Sequence, residues 1–427
     1  MGWNFETEPA FQAKLDWIET FVREEVDPLE FVLGNHYDVK HPDNVRLIRP
    51  LQQQVKAQGL WACHLGKELG GQGYGQVQLA LMNELLGAAR FGPIVFGCQA
   101  PDTGNAEILA HFGTPDQKVR YLQPLLDNHI VSCFSMTEPQ GGADPLEIRT
   151  RAVLEGNHWV INGEKWFASN ASLAEFFIVM AQSEPEAAPH QRISAFIVPA
   201  ETPGIEIVRD CGYGTGTKTH AYVRFHQVRV PADHILGQRG QGFLVAQTRL
   251  GGGRIHHAMR TIAKARKALD YMLRRAVSRS TKGSLLSQKQ MVQERIADSW
   301  IQLEQFRLLV MRTAWLIDKH QDYRKVRKDI AAVKAAMPKV LHDIASHALQ
   351  VHGSLGLSDE MPFMHWITES YFLGLADGPT EVHKVTVAEQ LTRHVVADDS
   401  PFPDYHLPQR AQAAKDRYAA ILGADLP

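Results

Sequence analysis

Asp377 is a carboxylate whose setting in the sequence could serve chemistry. It is followed by Gly378-Pro379-Thr380-Glu381-Val-His383 and a new helical pattern. A carboxylate just ahead of a helix start lies where the helix dipole also favours an anion. Two other segments carry complementary chemistry. Phe134-Ser-Met136-Thr137-Glu138-Pro139-Gln-Gly141-Gly142-Ala143-Asp144 leaves a strand-like run in a polar, glycine-rich bend. Such a bend exposes main-chain N–H groups suited to an electron-rich ring edge or a phosphate. Asn162-Gly-Glu-Lys165-Trp166-Phe167-Ala168-Ser169-Asn170 reads as a hairpin with two large aromatics beside a small hydroxyl. Gln350-Val-His-Gly353-Ser-Leu-Gly356 precedes the Asp377 segment as a further break between helices. A turn, a hydrophobic pair or a cap would explain each one singly; their order along the chain is more informative.

Other chemistries find no support. Gly71-Gln-Gly73-Tyr-Gly75 follows a helical pattern, so it reads as a plain loop without the strand-to-helix setting of a dinucleotide fingerprint. His342, His347 and His352 are spaced by five and do not stack on one helical face, and the adjacent His256 and His257 diverge, so no metal site is expected. There is no G-x-S-x-G elbow and no catalytic-cysteine context. Cys63, Cys98, Cys133 and Cys211 form no C-x-x-C pair, as expected of reduced thiols in a cytosol-like compartment. The start of the chain has no basic and apolar signal segment, and Glu6 stands where an N-myristoylation signal has Ser or Thr. A cytoplasmic protein is the expectation. With Lys+Arg 45 against Asp+Glu 47 the net charge is −2, which gives no field for nucleic acid. No apolar run approaches the ~18 residues of a membrane span.

The elements that must position these residues follow from hydrophobic periodicity. Phe11, Leu15, Ile18, Val22 and Val26 recur at helical spacing up to Pro28, and helical patterns continue over 45–59, 79–89 and 105–128. Near Ile130 the period shortens. Short strand-like runs follow at 131–137, 150–154, 158–161, 176–181, 193–198, 205–209 and 221–230, with Glu155-Gly156 and Asn162-Gly163 as turn signals. Helical periodicity then returns over 243–277, 287–319, 324–350 and 380–396, with Pro338 expected to kink the third. The order predicts an α+β fold of segregated layers. Its expected parts are an N-terminal helical domain (1–128), a middle antiparallel β domain (129–237) and a C-terminal helical domain (238–427).

The chain resembles the acyl-CoA dehydrogenases over nearly its whole length. The resemblance rests on Met-Thr-Glu-Pro at 136–139, Ile-Asn-Gly-Glu-Lys-Trp at 161–166, Gly-Gly-Arg-Ile at 252–255, Gln-Val-His-Gly at 350–353 and Ala-Asp-Gly-Pro-Thr-Glu-Val at 376–382. The 254–260 segment with Asp-Gly-Pro is most similar to a subgroup that uses aspartate as base. This implies a C-terminal four-helix bundle and FAD as cofactor. Phe134, Met136, Thr137 and Gly142 would line one side of the flavin, and Phe167, Ala168 and Ser169 the other. Arg279, Gln290, Gln350 and Gly353 would reach FAD held by a neighbouring subunit, making the protein a homodimer or homotetramer. Gly378, Pro379, Thr380 and Glu381 would cap the cofactor at the helix start. Ala143, Gly251, Gly252, Gly253 and Arg254 would approach the acyl-CoA. Four departures stand out: Ala143 where many members have Ser, Phe167 where Trp is usual, Lys282-Gly283 for Phe-Gly, and Asp377 for Glu. Members that carry the base near position 253 instead have a side chain there, whereas this chain has Gly253.

The implied activity is α,β-dehydrogenation of an acyl-CoA thioester. Asp377 would take the α-proton while the β-hydride passes to the flavin. The thioester oxygen would be held by the ribityl hydroxyl of FAD and the Asp377 N–H, and electrons would leave to an electron-transfer flavoprotein. A flavin oxidase of the nitroalkane oxidase kind, which also uses an Asp base on this scaffold, is the alternative within the fold. A non-catalytic FAD-binding scaffold is the alternative outside catalysis.

Overall fold

Residues 5–67, 71–212, 219–396 and 400–423 are described by the structure, a computed structural model. The first block is helical: α1 (Pro9–Phe21), α2 (Pro42–Ala57), α3 (Gly75–Leu86), α4 (Gly92–Val95), α5 (Asp102–Phe112), α6 (Pro115–Gln117) and α7 (Gln123–Leu126). The apolar stripe over 105–128 is therefore not one helix. Gly113 is extended (φ −71°, ψ 143°) and ends α5, and Thr114 starts a new turn, its hydroxyl accepting from Gln117 N at 3.2 Å while Gln117 Oε1 accepts from Thr114 N. The glycine-rich 71–75 segment is a loop, and Asp318 accepts hydrogen bonds from Gln76 N and Val77 N where α3 begins.

The middle block is one eight-stranded sheet: β1 (Ser132–Ser135), β2 (Arg151–Glu155), β3 (His158–Ser169), β4 (Phe176–Gln182), β5 (Ile193–Pro199), β6 (Ile205–Cys211), β7 (His220–Pro231) and β8 (Ile235–Leu236). Strand order is β6-β7-β3-β2-β4-β5-β8, with β1 also on β4. Two expectations are corrected here. The sheet is mixed, because β1 runs parallel to β4 (Ser132 opposite Phe176), joined through the intervening β2–β3 hairpin. Asn162-Gly163 is not a turn: β3 runs straight through it with a bulge against β7. The amide oxygen of Asn162 accepts from Gln227 N at 2.8 Å, and a Cβ on Gly163 would stand 2.4 Å from Thr150 Oγ1, so close packing rather than chain reversal selects glycine. Glu155-Gly156 does reverse the chain between β2 and β3, with Gly156 at φ +61°.

The last block contains α8 (Gly242–Ser278), a small hairpin of β9 (Ser280–Thr281) and β10 (Ser284–Leu285), and then α9 (Gln290–His320), α10 (Arg327–His352), α11 (Ser354–Leu357), α12 (Phe363–Leu375), α13 (Thr380–Thr392) and α14 (Leu407–Leu422). Periodicity left α12 and α14 unassigned, and α10 continues through Pro338 as one helix. Ile255, Ala258, Met259, Ile262, Ala265, Leu269 and Met272 form the buried stripe of α8. Each fully buried Ile, Leu or Met there stabilises by roughly 1.5–3 kcal/mol. This stripe, the inner faces of α9, α10 and α12, and the apolar residues of α1–α4 make one continuous core. Two smaller cores cover the two faces of the sheet. The helical blocks that are distant in sequence therefore pack on each other, and α5, the 118–126 segment and the start of α8 together cover one face of the sheet.

Candidate active site

Asp377 sits in the break between α12 and α13 with a left-handed backbone (φ +56°), and Gly378 follows at φ +104°. A non-glycine residue in this region is uncommon, although Asp adopts it more readily than most. Three long side chains hold the bend by its carbonyls. Arg254 Nε donates to the Asp377 carbonyl at 2.9 Å and the ring of His383 bonds the same oxygen through Nε2 at 3.2 Å. The buried Lys334 ammonium donates to the carbonyls of Leu373 and Gly378. Among the described residues the Asp377 N–H has no acceptor, which leaves it to serve an external oxygen.

The carboxylate faces a cationic wall. Arg249 Nη1 is 4.0 Å from Oδ1 and His257 Nε2 is 3.8 Å from Oδ2. A Cβ on Gly253 would lie 3.4 Å from Oδ2, with no other atom within 4 Å. Arg249, Gly253 and His257 are spaced by four on α8, so one face of that helix looks at Asp377. Burial alone would raise the Asp377 carboxyl, but His257, Arg249, Arg254 and Lys334 outweigh it and hold it below the usual carboxylate range. Burial pushes His257 down to about 4 and Lys334 down to about 8. At neutral pH His257 is thus uncharged, and the two arginines and Lys334 keep Asp377 ionised.

Arg249 ties Asp377 to the sheet. Its guanidinium lies 4.2 Å from the centre of the Phe134 ring and its Nε donates to Asn105 Oδ1 at 3.0 Å. Phe134 is on β1, and Met136 and Thr137 follow where the strand ends. A buried ion pair fixes that exit. Lys165 Nζ donates to Glu138 Oε1 at 2.8 Å and to the Met136 carbonyl at 2.9 Å, while Glu138 also accepts from Arg149 N and Thr150 N. Trp166 N donates to the Thr137 carbonyl at 2.9 Å. On the other side, Ser169 Oγ and His220 Nδ1 are 2.9 Å apart, and the His220 ring lies 6.0 Å from Phe372 of α12.

The structure thus brings Phe134, Arg254, Gly253, Asp377 and Gly378 together, with Met136, Thr137, Phe167, Ala168 and Ser169 on adjoining strand ends. Thr380 donates to the Gly374 carbonyl at 3.2 Å, and Pro379 caps α13 with Glu381 in its exposed first turn. Gly142 and Ala143 are exposed in the bend after Thr137. Arg279, Gln290, Gln350 and Gly353 are also exposed, at the end of α8, the start of α9 and the end of α10. Sequence reasoning missed Arg249, His257, Lys334 and His383. The four-residue spacing of Arg249 and His257 about Gly253 was the available signal; nothing local marks Lys334, which reaches the loop only through the packing of α10.

The strand ends suit a flat aromatic cofactor. Phe167 has a left-handed backbone (φ +52°) and leaves 41% of a large apolar residue exposed, while Trp166 Nε1 is buried without a partner. A Cβ on Gly142 would meet only Thr137 Cγ2, at 3.6 Å, so the bend leaves room beside it.

Comparison with known proteins agrees with this arrangement. Family models for the acyl-CoA dehydrogenase N-terminal, middle and C-terminal domains match residues 9–129, 133–228 and 240–392. The chain is 40% identical over 348 residues to the probable acyl-CoA dehydrogenase FadE2 of Mycobacterium tuberculosis, covering 80% of this chain and 84% of that protein. It is 38% identical over 395 residues to acyl-CoA dehydrogenase family member 10 of Mus musculus. That match covers 89% of this chain but spans only 37% of the longer mouse protein. A solved Mycobacterium abscessus structure carrying the same family name superposes with a TM-score of 0.84 at 34% identity, over 92% of this chain and all of that one.

Proposed function

Because the chain belongs to the acyl-CoA dehydrogenase family, a family of FAD-dependent oxidoreductases, we propose that it removes two hydrogens from an acyl-CoA thioester to give the 2-enoyl-CoA. The observation that carries this reading is the ionised Asp377 carboxylate, held in a left-handed bend opposite an empty-faced Gly253 and linked to Phe134 through Arg249, which lies near both. Phe134, Met136 and Thr137 on one side and Phe167, Ala168 and Ser169 on the other would hold FAD, which would supply the acceptor for the β-hydride and its electron pair. Asp377 takes the α-proton, so the acyl group loses one proton and one hydride and gains the C2–C3 double bond. The thioester oxygen gathers negative charge as that proton leaves. The Asp377 N–H, which has no acceptor of its own, is the donor this chain offers to it. Arg254, His383 and Lys334 orient the base and N–H together by gripping the same bend.

The cross-subunit role of Arg279, Gln290, Gln350 and Gly353 belongs to the same proposal. Their exposure in a single chain is what contact with FAD in a neighbouring protomer of a homodimer or homotetramer requires. The reading includes three domains divided near 128 and 237 and electron-transfer flavoprotein as the electron acceptor. It also includes a cytoplasmic setting, supported by four unpaired cysteines. Among the described residues no helix is long and apolar enough to cross a membrane. The test is anaerobic mixing of the FAD-loaded protein with a panel of acyl-CoAs. Bleaching of the flavin is expected with at least one of them; bleaching by nitroalkanes and by no acyl-CoA would favour the oxidase instead.

A further inference from the structure

Arg249 is seated in a socket that holds its stem and its Nε and leaves its outer end free. A Cβ on Gly104 of α5 would stand 2.7 Å from Arg249 Cγ, so glycine there makes room for the side chain. Arg249 Nε donates to Asn105 Oδ1 at 3.0 Å, and Asn105 Nδ2 donates to Ser132 Oγ at 2.8 Å. Ser132 in turn donates through its N and its Oγ to Asp102 Oδ1. Asn105, Ser132 and Asp102 are all buried. Among the described residues Nη1 and Nη2 of Arg249 make no hydrogen bond. Asp377 does not satisfy them, because Nη1 is 4.0 Å from Oδ1, whereas a counter-ion serving that carboxylate alone would close to about 2.8 Å.

The recess between this guanidinium and Asp377 is open. A Cβ on Gly253, one turn along α8 from Arg249, would meet no atom within 4 Å except Asp377 Oδ2. Solvent reaches 13% of the Arg249 side chain, 18% of Asp377 and 25% of His257. The acyl group must react in this recess, since its α-carbon has to come within about 3–3.5 Å of the Asp377 carboxylate. A group a few bonds farther along the acyl chain then comes within reach of Nη1. A methylene chain laid there would cover the N–H groups of a cation and return nothing to them. A carboxylate matches the planar fork with two parallel charge-assisted bonds. Resting on the acyl-CoA dehydrogenase reading above, we propose that Arg249 selects acyl-CoAs whose acyl chain carries a carboxylate a few bonds beyond the β-carbon. The cation then lies between two anions, which offsets the repulsion between the bound carboxylate and Asp377.

The test uses the FAD-loaded protein and three series of acyl-CoAs over a range of chain lengths: unsubstituted, ending in a carboxylate, and ending in the uncharged amide. Anaerobic flavin reduction is followed for each. At one length the carboxylate-ended chain should exceed both counterparts in kcat/KM by at least about tenfold, the lower end of what a hydrogen bond to a charged group supplies. Arg249 also bears on the charge of Asp377, so each variant is judged by the ratio between substrates, in which an effect on the base cancels. Arg249→Gln should bring that ratio close to one, and Arg249→Lys, which keeps the charge without the fork, should retain part of it. Gly104→Ala, which crowds the Arg249 stem out of its socket and leaves every polar group in place, should lower the ratio as well. FAD content reports folding of each variant. If unsubstituted or amide-ended chains reduce the flavin as well as carboxylate-ended ones at every length, this inference is overturned while the dehydrogenase reading stands. It is equally overturned if the ratio survives Arg249→Gln, or survives Gly104→Ala where Arg249→Gln fails to retain FAD. If no acyl-CoA reduces the flavin, both fall together.

Discussion

Replacing Asp377 by Asn removes the proposed base while disturbing little else. The residue sits at φ +56°, a region in which Asn is among the best tolerated side chains, whereas Ala would add strain of roughly 1–2 kcal/mol. Arg254 and His383 bond the backbone carbonyl rather than the carboxylate, so the bend keeps its anchors in the variant. What is lost is charge. At 4.0 Å from Arg249 the Coulomb attraction is about 4 kcal/mol at an effective dielectric constant near 20. The variant leaves that buried cation less compensated, so its thermal midpoint should fall by a few degrees. Loss of a positioned general base costs ~10²–10⁴ in rate, or roughly 3–5 kcal/mol of barrier. Asp377→Asn should therefore retain FAD and bind acyl-CoA while the anaerobic reduction rate in a stopped-flow instrument drops by at least two orders of magnitude. Reduction at the wild-type rate would place the base elsewhere, and loss of FAD would mean that Asp377 serves the cofactor site.

Because a side chain at 253 would point at the same oxygen, Gly253→Glu added to Asp377→Asn should recover measurable flavin reduction; a double variant no faster than Asp377→Asn refutes the shared geometry. Arg279→Ala should weaken FAD retention more than an Ala change at the exposed Arg46, read by flavin content after gel filtration; equal retention contradicts the cross-subunit role. Lys165→Met strands Glu138, itself about 4% exposed, and should lower stability by about 3–5 kcal/mol in urea unfolding, so a change under about 1 kcal/mol would mean the pair is dispensable. Burial lowers His36 and His64 to about 3, and His220, His257 and His383 to about 4. Between pH 6.5 and 4 the unfolded chain thus binds more protons at these sites than the folded one, and stability is lost as pH falls through that window. Each such imidazole contributes up to about 1.4 kcal/mol per pH unit, partly offset by Asp102, raised to about 6, and Glu107. Thermal melts should show a steep loss below pH 6.5, and a flat profile down to pH 4.5 would refute the neutral-histidine core.

The parts of the fold that declared themselves in the sequence are those with long, regular periodicity. The helical run expected over 243–277 and the strands expected at 150–154 and 221–230 are local patterns, and the structure has them within a residue as α8, β2 and β7. Failures occurred where a distant partner decides the outcome. Asn162-Gly163 reads as a turn until Thr150 and Gln227 are brought against it. Helix α12 buries Phe363, Trp366, Ser370 and Leu373 on one side, but Met364, Tyr371 and Leu375 are exposed on the others, so in sequence its apolar residues show no clean stripe, although the break after it carries Asp377. At the site, Asp377 and its Gly-Pro neighbour were legible as a motif. The cations that set its charge come from α8 and α10, and Lys334 contacts the loop through carbonyls 39 and 44 positions away in sequence.

The central claim is that one proton leaves the α-carbon to Asp377 as the β-hydride leaves the same acyl group. The most direct test is a single anaerobic turnover of the FAD-loaded protein with an acyl-CoA that reduces it, using substrate deuterated at C2 or at C3 and quantifying the product. The account predicts one 2-enoyl-CoA per flavin reduced and slower reduction with deuterium at either carbon. Flavin reduction without enoyl-CoA, or with no isotope effect from C2, would contradict it.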